Sequence, residues 1–362
     1  MALADLATPM AIRVAATLGL VEKAGTAGAT AARLASETGT SPLALRRLLD
    51  HLVTVGVFDL DRESGRYRPT SLGGQMAEDA PEGVKPLLDI TAAGGRAELA
   101  MVDLLDAVTT GQPAYPHRYG RGFWDDLDAE PRLRRSFDAQ MAWRFRTRAA
   151  RIAESFDWGR FGEVVDVGGG DGLLLAAILR AHPGVRGRVL DLAPAAAAAA
   201  GRFAAEGLAD RAGAVAGSFF DPLPAGADAY LLSDIVHDWD DDQARRILDG
   251  CRRAAAPDGV VVVVEPVLGD GVGTAIDLSM LVCFGGRERT VGELVALAAD
   301  CGLVPVGRVS VADGRTVLEF RPVPLDGDPT GGQADRQGPD RRRRGGRGGR
   351  GGGRGSAPGR GR

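Results

Sequence analysis

Residues 163–174 read EVVDVGGGDGLL, an apolar strand pattern that runs into glycines and then into the start of a helix. Doubly wound α/β folds hold their ligand at such a turn, because backbone amides at the helix start face it and no Cβ blocks the approach. The dinucleotide fingerprint needs glycine at the first, third and sixth positions of this loop. Gly168 and Gly170 satisfy the first two, but the sixth is Leu173, and the remaining glycine is Gly172. That spacing suits a ligand without a pyrophosphate better than NAD. Asp166 precedes the loop, and Asp191 ends the next strand about 20 residues on, where a carboxylate accepts from both ribose hydroxyls. The plainer alternative is that the glycines serve only a tight turn.

Around this loop, residues 163–322 alternate between strand and helix. RVLDL precedes AAAAAAGRFAAEG, DAYLLSD precedes DDQARRILDGCRRAA, and GVVVVVEPV precedes helices at LSMLVCF and VGELVALAADCG. Such alternation implies right-handed crossovers and an α/β fold with a mainly parallel sheet. LVPVGRVSVADGRTVLEFRPV ends it as an antiparallel hairpin turning at Asp313 and Gly314.

Upstream, LATPMAIRVAATLGLVEKA has helical apolar spacing, and TAARLASETG is a short helix ending at Gly39. SPLALRRLLDHLVTVG is a further helix, with Ser41 as its N-cap, Pro42 in its first turn and Gly56 closing it. VFDLDRESGRYRPTS reads as a hairpin turning at Glu63–Gly65. Together these spell a winged helix-turn-helix. One reading is a DNA reader. Arg46 and Arg47 favour it, but Asp50 and an acidic protein oppose it. The other reading is a module for homodimerisation, with the first helix against a partner chain. Residues 131–156, PRLRRSFDAQMAWRFRTRAARIAESF, read as one long helix. Leu133, Phe137, Met141 and Phe145 share one face of it, as core or as pocket lining.

The expected organisation is a winged-helix domain over 1–80, a helical linker over 81–155, a ligand-binding α/β domain over 156–322 and a disordered Arg/Gly-rich tail over 323–362. Of the net charge of −4, residues 327–362 contribute ten Arg and three Asp, or +7, leaving about −11 for the rest. An acidic body makes nucleic acid an unlikely main partner. The tail has two readings, a solvated extension or an RNA-binding segment. With 44% hydrophobic and 25% charged residues the chain reads as an ordinary soluble protein, and neither a membrane span nor a signal peptide is evident. A cytoplasmic location is expected. Three cysteines without a C-x-x-C pair and four scattered histidines suggest neither a disulfide framework nor a metal site.

Residues 233–241, SDIVHDWDD, place His237 just beyond the strand DAYLLSD, on the same rim as the glycine loop. Two glutamates fall at comparable places. Glu265 ends a run of five valines, and Glu288 lies in FGGRERT just before a helix. A carboxylate closing an apolar strand is costly to bury without a partner, and a histidine would satisfy it. Imidazole, with an ordinary pKa of about 6.5, accepts a phenolic proton near neutral pH when carboxylates fix its tautomer. A packed core histidine is the alternative.

In this order, DVGGGDG, the acid of DLAP, SFFDPLP, HDWDD, VVEPV and GGRERT resemble the class I S-adenosylmethionine-dependent small-molecule O-methyltransferases, both the plant caffeate type and actinobacterial antibiotic-pathway relatives. The resemblance spans about residues 5–322. It implies a Rossmann-like sheet, S-adenosylmethionine as methyl donor, a small aromatic acceptor, and a homodimer formed through the winged helix. It implies His237 as general base, flanked by Glu265 and Glu288, with Asp238 nearby. It also implies methyl-donor contacts at Gly168, Asp191, Ser218, Phe219 and Ser233, in addition to Asp166 and Gly170 from the loop itself. The plant pattern has aspartate at Ser218 and lysine at Ser233, so this chain departs from it there. Phe137, Met141 and Arg144 match acceptor positions. In relatives that methylate phenolic aryl acids, an arginine matching Arg13 enters the partner's site, so Arg13 and Arg144 are candidates for an acceptor carboxylate. Methyl transfer is an in-line displacement, so the acceptor oxygen must lose its proton and be held near attack distance. The competing readings are a hydroxylase or decarboxylase of the same fold, and a winged-helix ligand-sensing regulator.

Overall fold

The structure is a computed structural model describing residues 4–80, 84–269, 274–311 and 314–323. The tail and Asp313 of the expected last turn lie outside the described residues.

The N-terminal region contains helices α1 (Ala7–Thr17), α2 (Leu20–Ala24), α3 (Ala31–Thr38), α4 (Pro42–Thr54) and α5 (Ser71–Gly74). Strands β1 (Ala29–Thr30), β2 (Phe58–Asp61) and β3 (Arg66–Pro69) pair in the order β1-β3-β2. This is the expected wing. The single first helix is in fact two, because Gly19 adopts φ 62° between α1 and α2. Ser41 occupies the N-cap of α4, but its side chain makes no capping bond. Gly39, with φ 66°, ends α3 as expected.

A helical region follows, made of α6 (Lys85–Leu88), α7 (Ala93–Leu99), α8 (Leu104–Thr110), α9 (Tyr115–Tyr119), α10 (Phe123–Ala129), α11 (Pro131–Phe145) and α12 (Arg148–Ser155). The long helix expected over 131–156 is broken at Arg146–Thr147. Its halves differ in what they face: Phe137 and Met141 of α11 line a cavity, Ala149, Ile152 and Ala153 of α12 are buried against the sheet domain, and Phe145 at the break touches both. One straight helix would not present both faces.

The last region is built from β4 (Glu163–Val167), α13 (Leu173–Ala181), β5 (Arg186–Asp191), α14 (Ala193–Ala205), β6 (Ala212–Ala216), β7 (Ala229–Ser233), α15 (Asp241–Ala254), β8 (Val260–Pro266), α16 (Ala275–Cys283), α17 (Val291–Asp300), β9 (Leu303–Val311) and β10 (Arg315–Pro322). Its seven strands run in the order β6-β5-β4-β7-β8-β10-β9, parallel from β6 to β8, with β10 antiparallel to both β8 and β9. Edge strand β6 (AGAVA) is the element that sequence alternation did not mark, since its small side chains carry little β signal. All of β8 is buried, with Val262 and Val264 facing one helical layer and Val261 and Val263 the other. Chain order reverses at β4, with β5 on one side and β7 on the other, and such a switch point opens a crevice at the carboxyl ends of the strands.

Candidate active site

A cavity of about 610 Å³ lies over that crevice, roofed by the helical region. On one side it meets the ends of β4 and β5. Gly168 has φ 72°, and a Cβ there would lie 2.5 Å from Ile235 Cδ1. Gly170, at φ 59°, donates its backbone N–H to Asp191 Oδ2 at 2.8 Å, and Leu192 donates to Asp191 Oδ1 at 2.7 Å. The Asp191 carboxylate is thus oriented by two amides at the cavity wall.

Asp166 is buried, and its Oδ2 has no hydrogen-bond partner. Burial, and then the charges of Asp191 and Asp171, push its pKa up to about 7. Asp138 of α11 also lines the cavity and is raised chiefly by burial. Unmatched buried carboxylates are costly, and a ligand bearing cationic groups relieves that cost. Ser218, Phe219 and Ser233 line the same side, and Ser233 Oγ is likewise buried without a partner. This side fits S-adenosylmethionine, which carries an ammonium, a sulfonium and a ribose.

The other side holds the acid–base group. The 3-10 turn Val236–Asp238 follows β7, and its entry needs a left-handed residue, Asp234 at φ 53°. Arg315 of β10 grips the Asp234 carboxylate with Nε at 2.9 Å and Nη2 at 2.7 Å. His237 is buried with Nδ1 3.0 Å from Glu288 Oε1 and 3.5 Å from Glu265 Oε2. Ionised carboxylates only accept, so in the neutral ring the proton stays on Nδ1 and Nε2 is the basic nitrogen. Asp238 Oδ1 lies 3.5 Å from Nε2. Glu265 Oε1 takes two backbone N–H groups, from Ile235 at 2.9 Å and Val236 at 2.7 Å. The valine-ended glutamate thus has Oε1 satisfied by two amides and Oε2 turned toward His237 without a hydrogen bond of its own.

Burial alone would lower the His237 pKa, but Glu265, Asp238 and Glu288 overcome it and hold the imidazole well above 6.5. Burial pushes Asp238 up to about 7 and also raises Glu265, each offset in part by His237. The cluster is a strong base that becomes available as pH rises. Asp234, His237 and Glu265 have ligand atoms within 4.8 Å of one another, a spacing open to a cation. The Arg315 guanidinium already neutralises Asp234 there.

The acceptor wall is aromatic. Trp124 stacks on Phe284 at 5.4 Å and near-parallel to Trp239 at 6.1 Å, and Phe137 meets Trp124 edge-on at 5.5 Å. Met141 and Arg144 line the cavity as expected. Among the described residues Arg144 has no ion-pair partner, and its charge favours the ionised form of Asp238. Arg13 is not brought to the lining. Its guanidinium binds the Leu87 carbonyl at 2.6 Å and Glu98 at 3.0 Å, and those two residues do line the cavity.

Residues 101–304 match the sequence model of the O-methyltransferase domain, and residues 1–79 match that of the O-methyltransferase dimerisation domain. The chain belongs to the O-methyltransferase family. It is 49% identical to the 2,7-dihydroxy-5-methyl-1-naphthoate 7-O-methyltransferase of Streptomyces carzinostaticus, over 86% of this chain and 96% of that protein. It is 45% identical to aclacinomycin 10-hydroxylase RdmB of Streptomyces purpurascens, over 88% of this chain and 86% of that one. Its structure resembles that of the O-methyltransferase NcsB1 from neocarzinostatin biosynthesis, solved with S-adenosylmethionine and 2-hydroxy-5-methyl naphthoic acid. The TM-score is 0.84 at 47% identity, covering 89% of this chain and 98% of that chain. This chain is an S-adenosylmethionine-dependent O-methyltransferase with the class I methyltransferase sheet, and it forms a homodimer. The winged helix is the dimerisation domain. Among the described residues no helix is long and apolar enough to cross a membrane.

Apart from Arg13, whose expected place is in the partner's site, every site residue expected from the sequence lines the cavity or, for Glu265 and Glu288, stands directly behind His237. The sequence reading missed Asp138 and the wall of Trp124, Trp239 and Phe284. Asp138 sits beside Phe137 on α11, and an acid among pocket positions was the available signal. The aromatic wall joins residues from α10, the turn after His237 and the end of α16, and no spacing in one segment reveals it.

Proposed function

We propose that this O-methyltransferase methylates a phenolic hydroxyl of a flat aromatic acid of natural-product type, with His237 as general base. The observation that carries this reading is the setting of His237, a cavity-lining side chain whose Nδ1 is tied to Glu288, which leaves Nε2 as the nitrogen not held by the two glutamates. Stacked aromatic walls suit a planar acceptor, and an unpaired Arg144 suits a carboxylate on it. The similarity to a naphthoate methyltransferase points the same way.

S-adenosylmethionine, when bound, supplies an electrophilic methyl group. Asp191 and the amides around Gly170 would hold its ribose, and Asp166 and Asp138 would face its positive charge. The phenolic proton passes to His237 Nε2, and the nascent imidazolium is stabilised through Nδ1 by Glu288 and Glu265. Asp238 orients the ring from the other nitrogen. Trp124, Trp239 and Phe284 exclude water from the acceptor oxygen, which strengthens its nucleophilicity.

The test is a screen of hydroxylated aryl and naphthoic acids, with mass detection of one added CH₂, followed by His237→Ala on the accepted substrate. Replacing the base should lower kcat by roughly 10²–10⁴-fold. Full turnover by His237→Ala at neutral pH would end the base assignment. The hydroxylase relative leaves one alternative product, a gain of oxygen, and the same mass readout distinguishes it.

A further inference from the structure

Three separate segments bring the acid–base side chains together: the turn Val236–Asp238 carries His237, β8 carries Glu265, and the loop before α17 carries Glu288. Arg289 is joined to all three. Its Nη1 donates to the Val236 carbonyl and its Nη2 to the Trp239 carbonyl, each at 2.9 Å, so the guanidinium grips the turn on both sides of His237. Its backbone bridges to the end of β8, where Val267 pairs with Arg289 and Leu268 N donates to the Arg289 carbonyl at 3.1 Å. Glu288 is its chain neighbour.

An independent observation concerns the same loop. A Cβ on Gly286 would lie 2.1 Å from the His237 carbonyl oxygen and 2.5 Å from the Asp238 carbonyl carbon. The loop and the histidine turn thus pack backbone to backbone, and their separation is fixed without side chains between them.

Arg289 is buried, with a side chain only 1% exposed, and it does not line the cavity. Asp241 neutralises it, with Oδ1 2.8 Å from Nη2 and 3.1 Å from Nε, and is itself held by Arg287. A planar guanidinium spans two carbonyls and a carboxylate at once, which the single ammonium of lysine does not. We propose that Arg289 is the positioning residue of this active site, setting the distance between His237 and Glu288 by clasping the histidine turn to the glutamate loop. This inference rests on His237 being the base.

The test compares Arg289→Lys, Arg289→Ala and His237→Ala in the full-length homodimer. A displacement of the base by about 1 Å costs on the order of 10²-fold in rate. Arg289→Lys should therefore lose about that much in kcat while binding S-adenosylmethionine within about twofold of the parent. The acid limb of its pH–kcat profile should move to lower pH, as His237 loses carboxylate pairing. The charged groups facing His237 in that titration are Glu265, Glu288, Asp238 and Asp234, with Arg315 on Asp234 and Arg144 near Asp238. Added guanidinium at sub-denaturing concentration should restore part of the turnover of Arg289→Ala. Parental kcat and pH profile in Arg289→Lys would overturn the inference. So would joint loss of methyl-donor binding and activity in Arg289→Lys without guanidinium rescue of Arg289→Ala, which would make Arg289 a general folding residue. If His237→Ala kept its turnover, the base assignment itself would fail; if only Arg289→Lys were normal, the positioning role alone would.

Discussion

The two ends of the cavity differ in how far buried charge is matched by opposite charge. At the base end most charges sit against an opposite one, Asp234 on Arg315, Arg289 on Asp241 and His237 on Glu288, although one oxygen each of Glu265 and Glu288 takes no hydrogen bond. At the methyl-donor end Asp166 has an oxygen with no partner, and Asp138 sits under burial that raises its pKa. Pairing within the protein holds a reacting group still, because breaking a buried pair is strongly destabilising. Leaving a charge unpaired costs stability in the free protein and is repaid when a cationic ligand arrives. Positioning and binding are thereby separated within one cavity.

The comparison breaks most readily at Glu288. Glu288→Gln removes the charge that fixes the His237 tautomer, and a loss of the order of 10²–10⁴-fold in kcat is expected. The surviving activity should titrate at lower pH, since less negative charge stabilises the imidazolium. A kcat–pH profile with an unmoved acid limb would show that Glu265 and Asp238 suffice. Arg144→Gln tests a charge left free for the acceptor. The KM for a carboxylate-bearing acceptor should rise about tenfold, with little change for its methyl ester, whereas equal effects on both would remove Arg144 from carboxylate recognition.

Asp166→Asn probes the unpaired end and should have the smallest effect on rate. Burial holds the Asp166 pKa at about 7 in the folded protein, above the ordinary carboxylate range, so the native state binds the proton more tightly than the unfolded chain. Wild-type stability therefore falls as pH rises from about 4 to 7 on account of this group. The Asn variant lacks that penalty. In the free protein it should melt a few degrees higher at pH 8, with the difference shrinking toward pH 4, while its affinity for S-adenosylmethionine drops. A melting temperature lowered at pH 8 would show that the carboxylate has a partner in solution.

Much of this architecture was readable in the sequence where one segment carries its own signal. The glycine loop, the valine strand ending in Glu265 and the Thr38–Gly39 helix stop each obey local rules of backbone conformation and burial. His237, Glu265 and Glu288 were placed on one rim because parallel strands deliver their carboxyl ends to the same edge. Pairwise geometry was not readable: nothing in FGGRERT tells which carbonyls Arg289 reaches, and the break at Arg146–Thr147 contains neither Gly nor Pro. That break follows from what two helix halves pack against, a tertiary demand that overrides local propensity. The contacts of Arg13 within its own chain belong here too, since Leu87 and Glu98 lie more than 70 positions away in the sequence.

That tie from Arg13 runs from the dimerisation domain to the wall of the acceptor cavity. Within one chain, the first helix of the dimerisation domain is therefore fastened to two residues that shape the acceptor space.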